Sequence, residues 1–270
     1  MIWTRRGGTR RSRANSSLAM ASVSVISRER PRAVVCLPTF NERQNLEPMV
    51  EALGRVLDTE RDVVLVIDDS SPDGTGELAD RLAGELEWVD VLHRPEKQGL
   101  GPAYIAGFRE AIAVGARLVL EMDCDFSHDP ADVPRLIAAC EEGADLALGS
   151  RWVEGGGTAN WGLLRRVISR GGSLYARIVL GVAVRDLTGG FKCFRRVVLE
   201  TIDRDAIAAR GYGFQIEGTY RALRAGFRVV EIPITFVDRR VGESKMSGAI
   251  VLEAMRQVPV LRWKALRGRL

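Results

Sequence analysis

The stretch RLVLEMDCDFSHDP, residues 117–130, decides the fold of this 270-residue chain. Its first six residues form a short apolar run that is typical of a buried strand, and Asp123-Cys124-Asp125 follows without a linker. Four similar runs occur elsewhere, and they are AVVCL (33–37), VVLVI (63–67), WVDVL (88–92) and DLALG (145–149). The pattern predicts five strands, most of them parallel, with 117–122 as the fourth.

Helical spacing of apolar residues separates these runs. It predicts helices over Leu46–Leu57, Thr75–Leu86, Pro102–Val114 and Ala131–Cys140, with Asn45, Asp73 and Asp129 as start signals. Strands that alternate with helices indicate a doubly wound α/β sheet, which binds ligands where its strands reach their carboxyl ends. The residues directly after each strand are therefore the first candidates for a site.

The chain changes character after Ser150. A glycine-rich loop at Gly155–Gly157 precedes a predicted helix over Leu164–Leu180, and a mixed region ending in EIPITF follows. The segment 247–263 mixes apolar residues with arginines, which predicts a basic amphipathic helix. The pattern leaves two roles for that helix open, packing on the domain or contact with a membrane.

Charge is distributed unevenly along the chain, whose formal net charge is +4. Residues 1–32 (eight Arg, one Glu) carry +7 and residues 239–270 (six Arg, two Lys, two Glu) carry +6, so the segment between them carries −9. An acidic body with basic ends argues against nucleic-acid binding and favours a cation-dependent site and an anionic partner surface such as lipid headgroups. We expect a disordered basic tail over 1–31, a main domain over 32–246 and the basic amphipathic helix over 247–270.

Cysteine usage and hydropathy limit the cellular setting. Cys36, Cys124, Cys140 and Cys193 show no paired spacing, which favours a reduced cytosolic protein. No apolar run approaches the roughly 18 residues that a membrane-spanning helix needs. The sequence thus predicts a protein that lies at most on a membrane surface.

Asp123 and Asp125 form the strongest candidate site. They place two carboxylates at the ligand-binding edge of the predicted sheet, where neighbouring anions are costly without a cation. Hard divalent cations prefer oxygen ligands, so the pair predicts Mg²⁺ or Mn²⁺ bridging a diphosphate and carrying the charge of the leaving group. A turn or helix cap leading into Asp129-Pro130 is the alternative that the motif alone leaves open.

The first two strands end in loops that suit a nucleotide. PTFNE (38–42) supplies a proline and an aromatic face, and DDSSPDGT (68–75) supplies carboxylates that can accept hydrogen bonds from a base or ribose. Residues 70–75 also fit a turn and helix cap, a role that leaves Asp69 available. A dinucleotide-binding motif is excluded by position, because Gly99-Leu100-Gly101 follows the third strand and Tyr104 stands where a third glycine is required.

A series of longer motifs occurs in order between residues 32 and 250. They are PTFNERQNL, VIDDSSPDGTG, HRPEKQGLGPAYIAGF, EMDCDFSHDP, LALGSRW, NWGLLRRVISRGG, DLTGGFK, GYGFQIE and EIPITFVDRRVGESKMSG. The series resembles the polyprenol-phosphate (dolichol-phosphate) mannosyltransferases, inverting glycosyltransferases of family 2 and GT-A type. The resemblance implies a GT-A nucleotide-sugar-binding fold, with helices flanking a mostly parallel central sheet and a C-terminal amphipathic helix.

The chain departs from that family pattern in small ways. Cys124 stands where alanine is usual, and Gly189-Gly190 lies in a segment more often written with serine. Neither change removes a charged group. The C-terminal transmembrane region of some relatives has no counterpart in the sequence, so the terminal basic helix or a membrane partner is expected to bring the protein to a lipid substrate.

The resemblance also implies residue roles. Donor nucleotide binding falls to Pro38, Phe40, Glu42, Asp69, Asp123, Cys124 and Asp125, with Asp123 and Asp125 as the metal ligands. The acceptor phosphate would be surrounded by Arg151, Arg165, Ser169, Arg240 and Lys245, and the catalytic residues would be Asp123, Asp125 and Arg165. Guanidinium groups bind phosphate through paired hydrogen bonds, although without the resemblance each of these arginines would be interpreted as a surface charge.

The implied reaction is an inverting transfer of mannose from GDP-mannose to a polyprenyl monophosphate. The acceptor oxygen is already anionic, so placement and stabilisation of the leaving diphosphate suffice, and neither His93 nor His128 is expected to be a nucleophile. The alternatives are a UDP-glucose-dependent polyprenyl-phosphate glucosyltransferase and a non-catalytic lipid-binding subunit.

The same reasoning sets the expected partners and location. The partners are GDP-mannose, polyprenyl phosphate and the membrane surface, with an integral membrane protein as a further candidate and no nucleic acid. The protein would be cytoplasmic and peripheral on the inner face of the cell membrane.

Overall fold

A seven-stranded sheet forms the centre of the protein. The structure, a computed structural model, describes residues 24–202, 212–238, 248–268 and 270. The strands are β1 (Ala33–Thr39), β2 (Asp62–Asp68), β3 (Val89–His93), β4 (Leu118–Glu121), β5 (Leu146–Ser150), β6 (Gly157–Ala159), β7 (Lys192–Arg195), β8 (Val229–Pro233) and β9 (Thr235–Val237). The central order is β3-β2-β1-β4-β7-β5-β8, in which β7 alone runs antiparallel to its neighbours, while β6 and β9 form a separate parallel pair.

Helices cover both faces of this sheet. They are α1 (Arg43–Gly54), α2 (Thr75–Glu85), α3 (Leu100–Ala113), α4 (Val133–Glu141), α5 (Leu163–Leu180), α6 (Arg196–Thr201), α7 (Tyr212–Arg224) and α8 (Gly248–Leu266). One apolar core packs α1, α2 and α4 on one face, and a second packs α3, α6 and α7 on the other. Along β1, Val35 and Leu37 belong to the first core, whereas Val34 and Cys36 belong to the second. Strands buried on both faces need such unbroken apolar runs.

The predicted elements up to residue 150 are confirmed, with every boundary within three residues of its predicted position. Asp129 caps the 3-10 turn Pro130–Asp132 by accepting a hydrogen bond from the Ala131 amide. Asp73 accepts a bond from the Thr75 amide at 3.0 Å, although the capping position itself is Gly74. The expectation that Asn45 begins α1 is wrong.

Helix α1 begins at Arg43, which puts Asn45 inside its first turn. The side-chain amide of Asn45 donates to Oε2 of Glu42, the residue before the helix, at 2.8 Å. This polar residue therefore stabilises the start of the helix from within it.

Strand β7 was missed, and its position changes the topology. It is four residues long and lies between β4 and β5 in the sheet. A short antiparallel insertion of this kind carries no periodic signal of its own. It brings Lys192 into the centre of the sheet.

Residues 24–31 correct part of the predicted tail. Ile26 is buried with the second core, and the Ser27 amide donates to Oδ2 of Asp90 at 3.2 Å. Arg28 Nη1 donates to the carbonyl oxygen of Asp62 at 2.9 Å. The segment thus packs on the domain because one apolar side chain and several polar contacts hold it there, while residues 1–23 of the expected tail lie outside the described residues.

Helix α8 packs on the domain. Val258, Leu261 and Ala265 form a third apolar core with α5 and α7. Across the described parts of the chain, no helix is both long enough and apolar enough to span a membrane. Packing accounts for one side of α8, and its other side stays exposed at Met255 and Trp263.

Helix α3 approaches the sheet closely at Gly107. A Cβ atom at this position would lie 2.5 Å from Cδ1 of Ile67 and 2.9 Å from Sγ of Cys36, so a larger residue would force these side chains or the helix to shift. Tyr104, one turn earlier, is fully buried. The close approach therefore carries the Tyr104 hydroxyl to the end of β4.

Candidate active site

Three strands end together at the edge where ligands bind in sheets of this type. The register pairs Thr39 of β1 with Asp68 of β2, and Cys36 of β1 with Glu121 of β4. The loops after these strands each contain a residue other than glycine with a positive φ angle, namely Asn41 (59°), Ser70 (60°) and Phe126 (60°). Such backbone conformations are costly and concentrate at functional sites, which marks this edge as the candidate active site.

Asp123 and Asp125 lie at this edge with different environments. Asp123 is half-buried, and its Oδ1 accepts a hydrogen bond from the Tyr104 hydroxyl at 3.3 Å. Asp125 is buried, and its Oδ1 accepts from the Ser127 amide at 3.0 Å. Cys124 between them is part of the first apolar core. The Cys124 side chain is therefore buried in the core, and hydrogen bonds hold the carboxylates of Asp123 and Asp125 in defined orientations.

The carboxylate pair fits a divalent cation that is shared with a ligand. Among the residues that the structure describes, no group of three or more His, Cys, Asp or Glu side chains is arranged to hold a metal ion. Mg²⁺ is commonly held by one or two carboxylates together with phosphate oxygens of the substrate. Asp123 and Asp125 match that ligand set.

His128 holds the turn at Asp123 through a hydrogen bond to the backbone. Its Nδ1 accepts a hydrogen bond from the Asp123 amide at 3.2 Å, and its ring stacks on Phe191 with centroids 4.9 Å apart. Burial lowers the pKa of His128 to about 4, so the ring is neutral near pH 7. A buried neutral ring that accepts a backbone hydrogen bond holds the turn in place.

The two carboxylates that follow β2, Asp68 and Asp69, have different partners. Asp68 accepts hydrogen bonds from the Ser71 hydroxyl at 2.6 Å and the Ser71 amide at 3.1 Å, which hold the loop. Asp69 instead pairs with Nη1 of Arg94, and both side chains are more than nine-tenths buried. Arg94 also donates to Oε1 of Gln98 at 2.9 Å. The loop 94–99, which follows β3, therefore packs against Asp69 through Arg94.

The other predicted donor residues border the same space. Phe40 is half-buried after β1, with Nζ of Lys97 3.5 Å from its ring centroid. Pro38 lies within β1, and Glu42 is half-buried at the start of α1. Phe40 and Asp69 are thus both in contact with the loop 94–99, which adds Arg94 and Lys97 to the residues around the site.

Arg165 is tied to the turn that follows Asp125. Its Nη1 donates to Oδ1 of Asp238 at 2.6 Å, and its guanidinium carbon lies 4.2 Å from the ring centroid of Trp161. The neighbouring Val237 amide donates to the carbonyl oxygen of Ser127 at 3.1 Å. These contacts link the start of α5 to the carboxylate pair through β9.

Gly156 permits the tight loop that leads to this region. A Cβ atom at Gly156 would lie 2.5 Å from the carbonyl oxygen of Ser150, a contact that a side chain cannot make.

Ser169 follows Arg165 by about one helical turn on α5 and is half-buried. Arg240 and Lys245, the other predicted acceptor residues, lie outside the described residues.

Arg151, which the resemblance assigned to the acceptor phosphate, forms a buried ion pair in the structure. Its Nε and Nη2 each donate to a carboxylate oxygen of Asp186 at 2.7 Å, and Nη2 also donates to the Thr188 hydroxyl at 2.8 Å. Burial opposes ionisation of Asp186, but the charge of Arg151 outweighs it and lowers the Asp186 pKa. With 6% of its surface exposed, Arg151 holds the segment around Thr188 in place, and its role at the acceptor phosphate stays a prediction.

A buried network behind the carboxylate pair was not anticipated. Nζ of Lys192 donates to the carbonyl oxygen of Gln215 at 2.9 Å and to its side-chain oxygen, and it lies 3.9 Å from Oε2 of Glu121. Burial raises the pKa of Glu121 to about 7 and lowers that of Lys192. Two sequence motifs contain residues of this network, because Lys192 ends DLTGGFK and Gln215 lies in GYGFQIE. The sequence signal for Glu121 was an acidic residue at the end of an apolar strand.

Comparison with known families decides the class of the protein. The family model described as Glycosyl transferase family 2 matches residues 34–203, which is more than half of the chain. The chain belongs to glycosyl transferase family 2. The predicted family and enzyme class are confirmed, so the carboxylate edge and the loops around it belong to a glycosyltransferase.

Two curated relatives of this family 2 enzyme match over most of its length. An undecaprenyl-phosphate mannosyltransferase of Micrococcus luteus is 50% identical over 245 residues, which are 88% of this chain and 99% of the relative. A polyprenol monophosphomannose synthase of Mycolicibacterium smegmatis is 49% identical over 241 residues, which are 88% of this chain and 89% of the relative. Both relatives are therefore similar to this chain over more than four-fifths of its length.

Solved structures share the fold at lower identity. A glucosyl-3-phosphoglycerate synthase of Mycobacterium tuberculosis, in complex with Mn²⁺, UDP-glucose and phosphoglyceric acid, has a TM-score of 0.60 and 20% identity over 87% of this chain and 79% of that one. A mannosyltransferase of Pyrobaculum calidifontis, in complex with GDP-mannose and Mn²⁺, has a TM-score of 0.54 and 16% identity over 91% and 76%. The likeness concerns the architecture, and it confirms the predicted GT-A fold of this family 2 enzyme.

Proposed function

We propose that this glycosyltransferase transfers mannose from GDP-mannose to a polyprenyl monophosphate with inversion at the anomeric carbon. The observation that carries the proposal is the link between the carboxylates of Asp123 and Asp125 and the guanidinium of Arg165, which joins a diphosphate-binding edge to a phosphate-binding group. The similarity to two mannosyltransferases named for undecaprenyl phosphate and polyprenol supports the same acceptor class.

The donor would lie along the edge formed by the first two strand ends. Phe40 offers a ring face to the base, and Asp69 offers carboxylate oxygens to base or ribose donors while Arg94 holds its orientation. Asp123 and Asp125 would hold Mg²⁺ or Mn²⁺ against the diphosphate. When bound, that cation supplies positive charge that stabilises the departing diphosphate.

The acceptor needs placement more than it needs a base. Its phosphate oxygen is anionic near neutral pH, so it can form the new bond to the anomeric carbon directly, while the bond to the diphosphate oxygen breaks and its electron pair leaves with GDP. Attack from the face opposite the leaving group inverts the configuration. Arg165 would orient the acceptor phosphate through charge-assisted hydrogen bonds, with Ser169 nearby on the same helix.

The identity of the donor has two parts, the nucleotide base and the sugar. Mannose and GDP are supported by the two mannosyltransferase relatives and by the Pyrobaculum calidifontis structure, which is described with GDP-mannose. The UDP-glucose complex of the Mycobacterium tuberculosis synthase favours the alternative donor on the same fold. A cytoplasmic enzyme on the inner face of the membrane would meet either donor in solution and the acceptor in the lipid.

The test is transfer of labelled sugar from GDP-mannose, and in parallel from UDP-glucose, to a short-chain polyprenyl phosphate, with Mg²⁺, with Mn²⁺ and with chelator. We expect mannosyl product only with the cation. Glucosyl product alone would overturn the donor, and binding of lipid without product from either donor would favour a non-catalytic subunit.

A matched pair of variants assigns the metal role. Asp125→Ala should abolish cation-dependent transfer, whereas Asp80→Ala, which removes an exposed carboxylate on α2, should leave it unchanged. Full activity in Asp125→Ala would remove the basis for the cation site.

A further inference from the structure

The indole N–H of Trp161 is enclosed in the protein and has no hydrogen-bond partner among the described residues. Trp161 lies between β6 and α5, and 9% of its surface is exposed. Its ring contacts that of Phe236 on β9, with centroids 5.2 Å apart and an interplanar angle of 75°. The pairing of β6 with β9 brings the two aromatic residues together. A buried donor without an acceptor costs free energy, so this N–H requires an explanation.

Three further polar groups of the same region lack a partner in the described part of the chain. They are Nε1 of Trp152, Nε of Arg165 and the hydroxyl of Ser127. The guanidinium carbon of Arg151 lies 5.5 Å from the ring centroid of Trp152 and 5.6 Å from that of Trp161, so the two indoles flank one guanidinium. Ser127, Trp152, Trp161 and Arg165 are called the donor cluster below.

The donor cluster lies between the carboxylate pair and the start of α5. Ser127 follows Asp125 by two residues, and its carbonyl oxygen accepts a hydrogen bond from the Val237 amide at 3.1 Å. At the other end, the side chain of Arg165 is 22% exposed and that of its partner Asp238 is 39% exposed. The cluster therefore reaches solvent at this ion pair, where a ligand can enter.

The chemistry of the donor cluster favours a phosphate over a sugar. Indole and guanidinium N–H groups donate and cannot accept, and Arg165 adds positive charge. The carboxylates of Asp186 and Asp238, which lie beside the cluster, are paired with arginines. Sugar hydroxyls both donate and accept, so a sugar would leave its own donors unpaired among these groups. An ionised phosphate supplies several acceptor oxygens and a negative charge.

We propose that the indole N–H groups of Trp161 and Trp152 donate hydrogen bonds to the phosphate of the polyprenyl monophosphate, beside Arg165. This inference rests on the proposed function and extends it, because neither tryptophan is among the residues that the resemblance assigned to the acceptor. The phosphate satisfies donors that the folded protein leaves without an acceptor. It then lies between Arg165 and the turn that contains Asp123 and Asp125.

The experiment measures kcat and KM of the full-length protein for a water-soluble short-chain polyprenyl phosphate at saturating donor. Trp161→Phe removes the N–H and keeps an aromatic ring beside Arg165. The control is Trp263→Phe, the same change at an exposed tryptophan whose ring centroid lies 3.9 Å from the guanidinium carbon of Arg267. We expect Trp161→Phe to raise the acceptor KM about 10-fold, with kcat and the KM for the nucleotide sugar within about 2-fold of the wild type. The control should match the wild type.

Trp152→Phe is a second variant that leaves Trp161 in place, so it tests the donor cluster even where Trp161→Phe does not fold. It should raise the acceptor KM about 5-fold. Calorimetric titration of the same acceptor into the protein without donor should show matching losses of affinity, because this measurement does not depend on turnover.

The outcomes separate this inference from the proposed function. Wild-type acceptor KM and affinity in the folded variants would overturn the inference. A rise confined to the KM for the nucleotide sugar would also overturn it, because the cluster would then bind the donor. A wild type that binds the acceptor and transfers no sugar would refute the proposed function, whereas weaker acceptor binding by the variants would still support the phosphate site.

Discussion

Arg165 and Asp238 form an ion pair at 2.6 Å across 73 residues of sequence. The pair joins the start of α5 to the end of β9, and the Val237 amide ties β9 to Ser127 directly after the carboxylate pair. The guanidinium that we propose for the acceptor phosphate is therefore held in place by contacts that no local motif contains.

Substitution of Arg165 tests this placement. Arg165→Ala should reduce transfer about 10- to 100-fold, since a hydrogen bond to a charged group contributes about 1.5–3 kcal/mol. Arg165→Lys should give an intermediate loss, because it keeps the charge but not the planar group over Trp161. The measurement is kcat/KM for the acceptor, with Arg81→Ala on the exposed side of α2 as the control. Unchanged kcat/KM in Arg165→Ala would contradict the assigned role.

Tyr104 should tune the cation requirement. Tyr104→Phe removes the hydroxyl that donates to Asp123 and leaves the buried ring in place. The loss of one hydrogen bond, about 1 kcal/mol, should raise the Mn²⁺ concentration for half-maximal transfer about 5-fold. A metal titration of initial rates measures this, with Tyr175→Phe as the control. Equal half-saturation in all three proteins would show that the hydroxyl does not orient Asp123 toward a cation.

The Arg151 and Asp186 pair should matter for stability. Arg151→Met leaves a buried carboxylate without its charged partner and should lower the free energy of unfolding by about 3–5 kcal/mol. Arg151→Met/Asp186→Leu removes both charges and should recover part of that loss. Urea denaturation measures both values. A loss below about 1 kcal/mol in Arg151→Met would indicate that the guanidinium is available for another ligand.

His128 should make stability depend on pH. Its pKa in the folded protein is lowered to about 4 by burial, against about 6.5 in an unfolded chain. Between these values the unfolded state binds more protons than the folded state, so the free energy of unfolding increases as pH rises through this window and is level above it. His128→Gln should show a flatter rise than the wild type in urea denaturation at pH 4.5, 5.5 and 6.5. The other titrating groups are the same in both proteins, so the difference between the two pH profiles reports the His128 ring. Equal slopes of unfolding free energy against pH would contradict the burial of a neutral ring.

Much of the fold could be predicted from local sequence. Runs such as VVLVI are apolar throughout because β2 is buried on both faces, and this property is visible without any structure. The position of Asp123 and Asp125 follows from the same logic, since residues that follow a parallel strand lie at the ligand-binding edge. The confirmed family then agrees with the motifs found in order along the chain.

Other features depend on contacts between distant residues. The insertion of β7 places Lys192 beside Glu121. Arg151 meets Asp186 in the interior, although its residue type alone would be interpreted as a surface charge. The exposed face of α5 is a further case, because the sequence predicted a helix over Leu164–Leu180 without showing which side the domain covers. An arginine or a leucine has the same local pattern whether it packs inward or faces outward.

The sequence by itself therefore determined the α/β class and the carboxylate edge, since these follow from periodic burial and from residues adjacent to strands. Its motifs, in order along the chain, indicated the family by resemblance. Only the tertiary structure decided which arginine is buried, which carboxylate holds it and which face of α5 remains exposed. The physical reason is that burial patterns repeat along the chain and are visible locally, whereas a single ion pair forms between residues that meet only after the sheet has assembled.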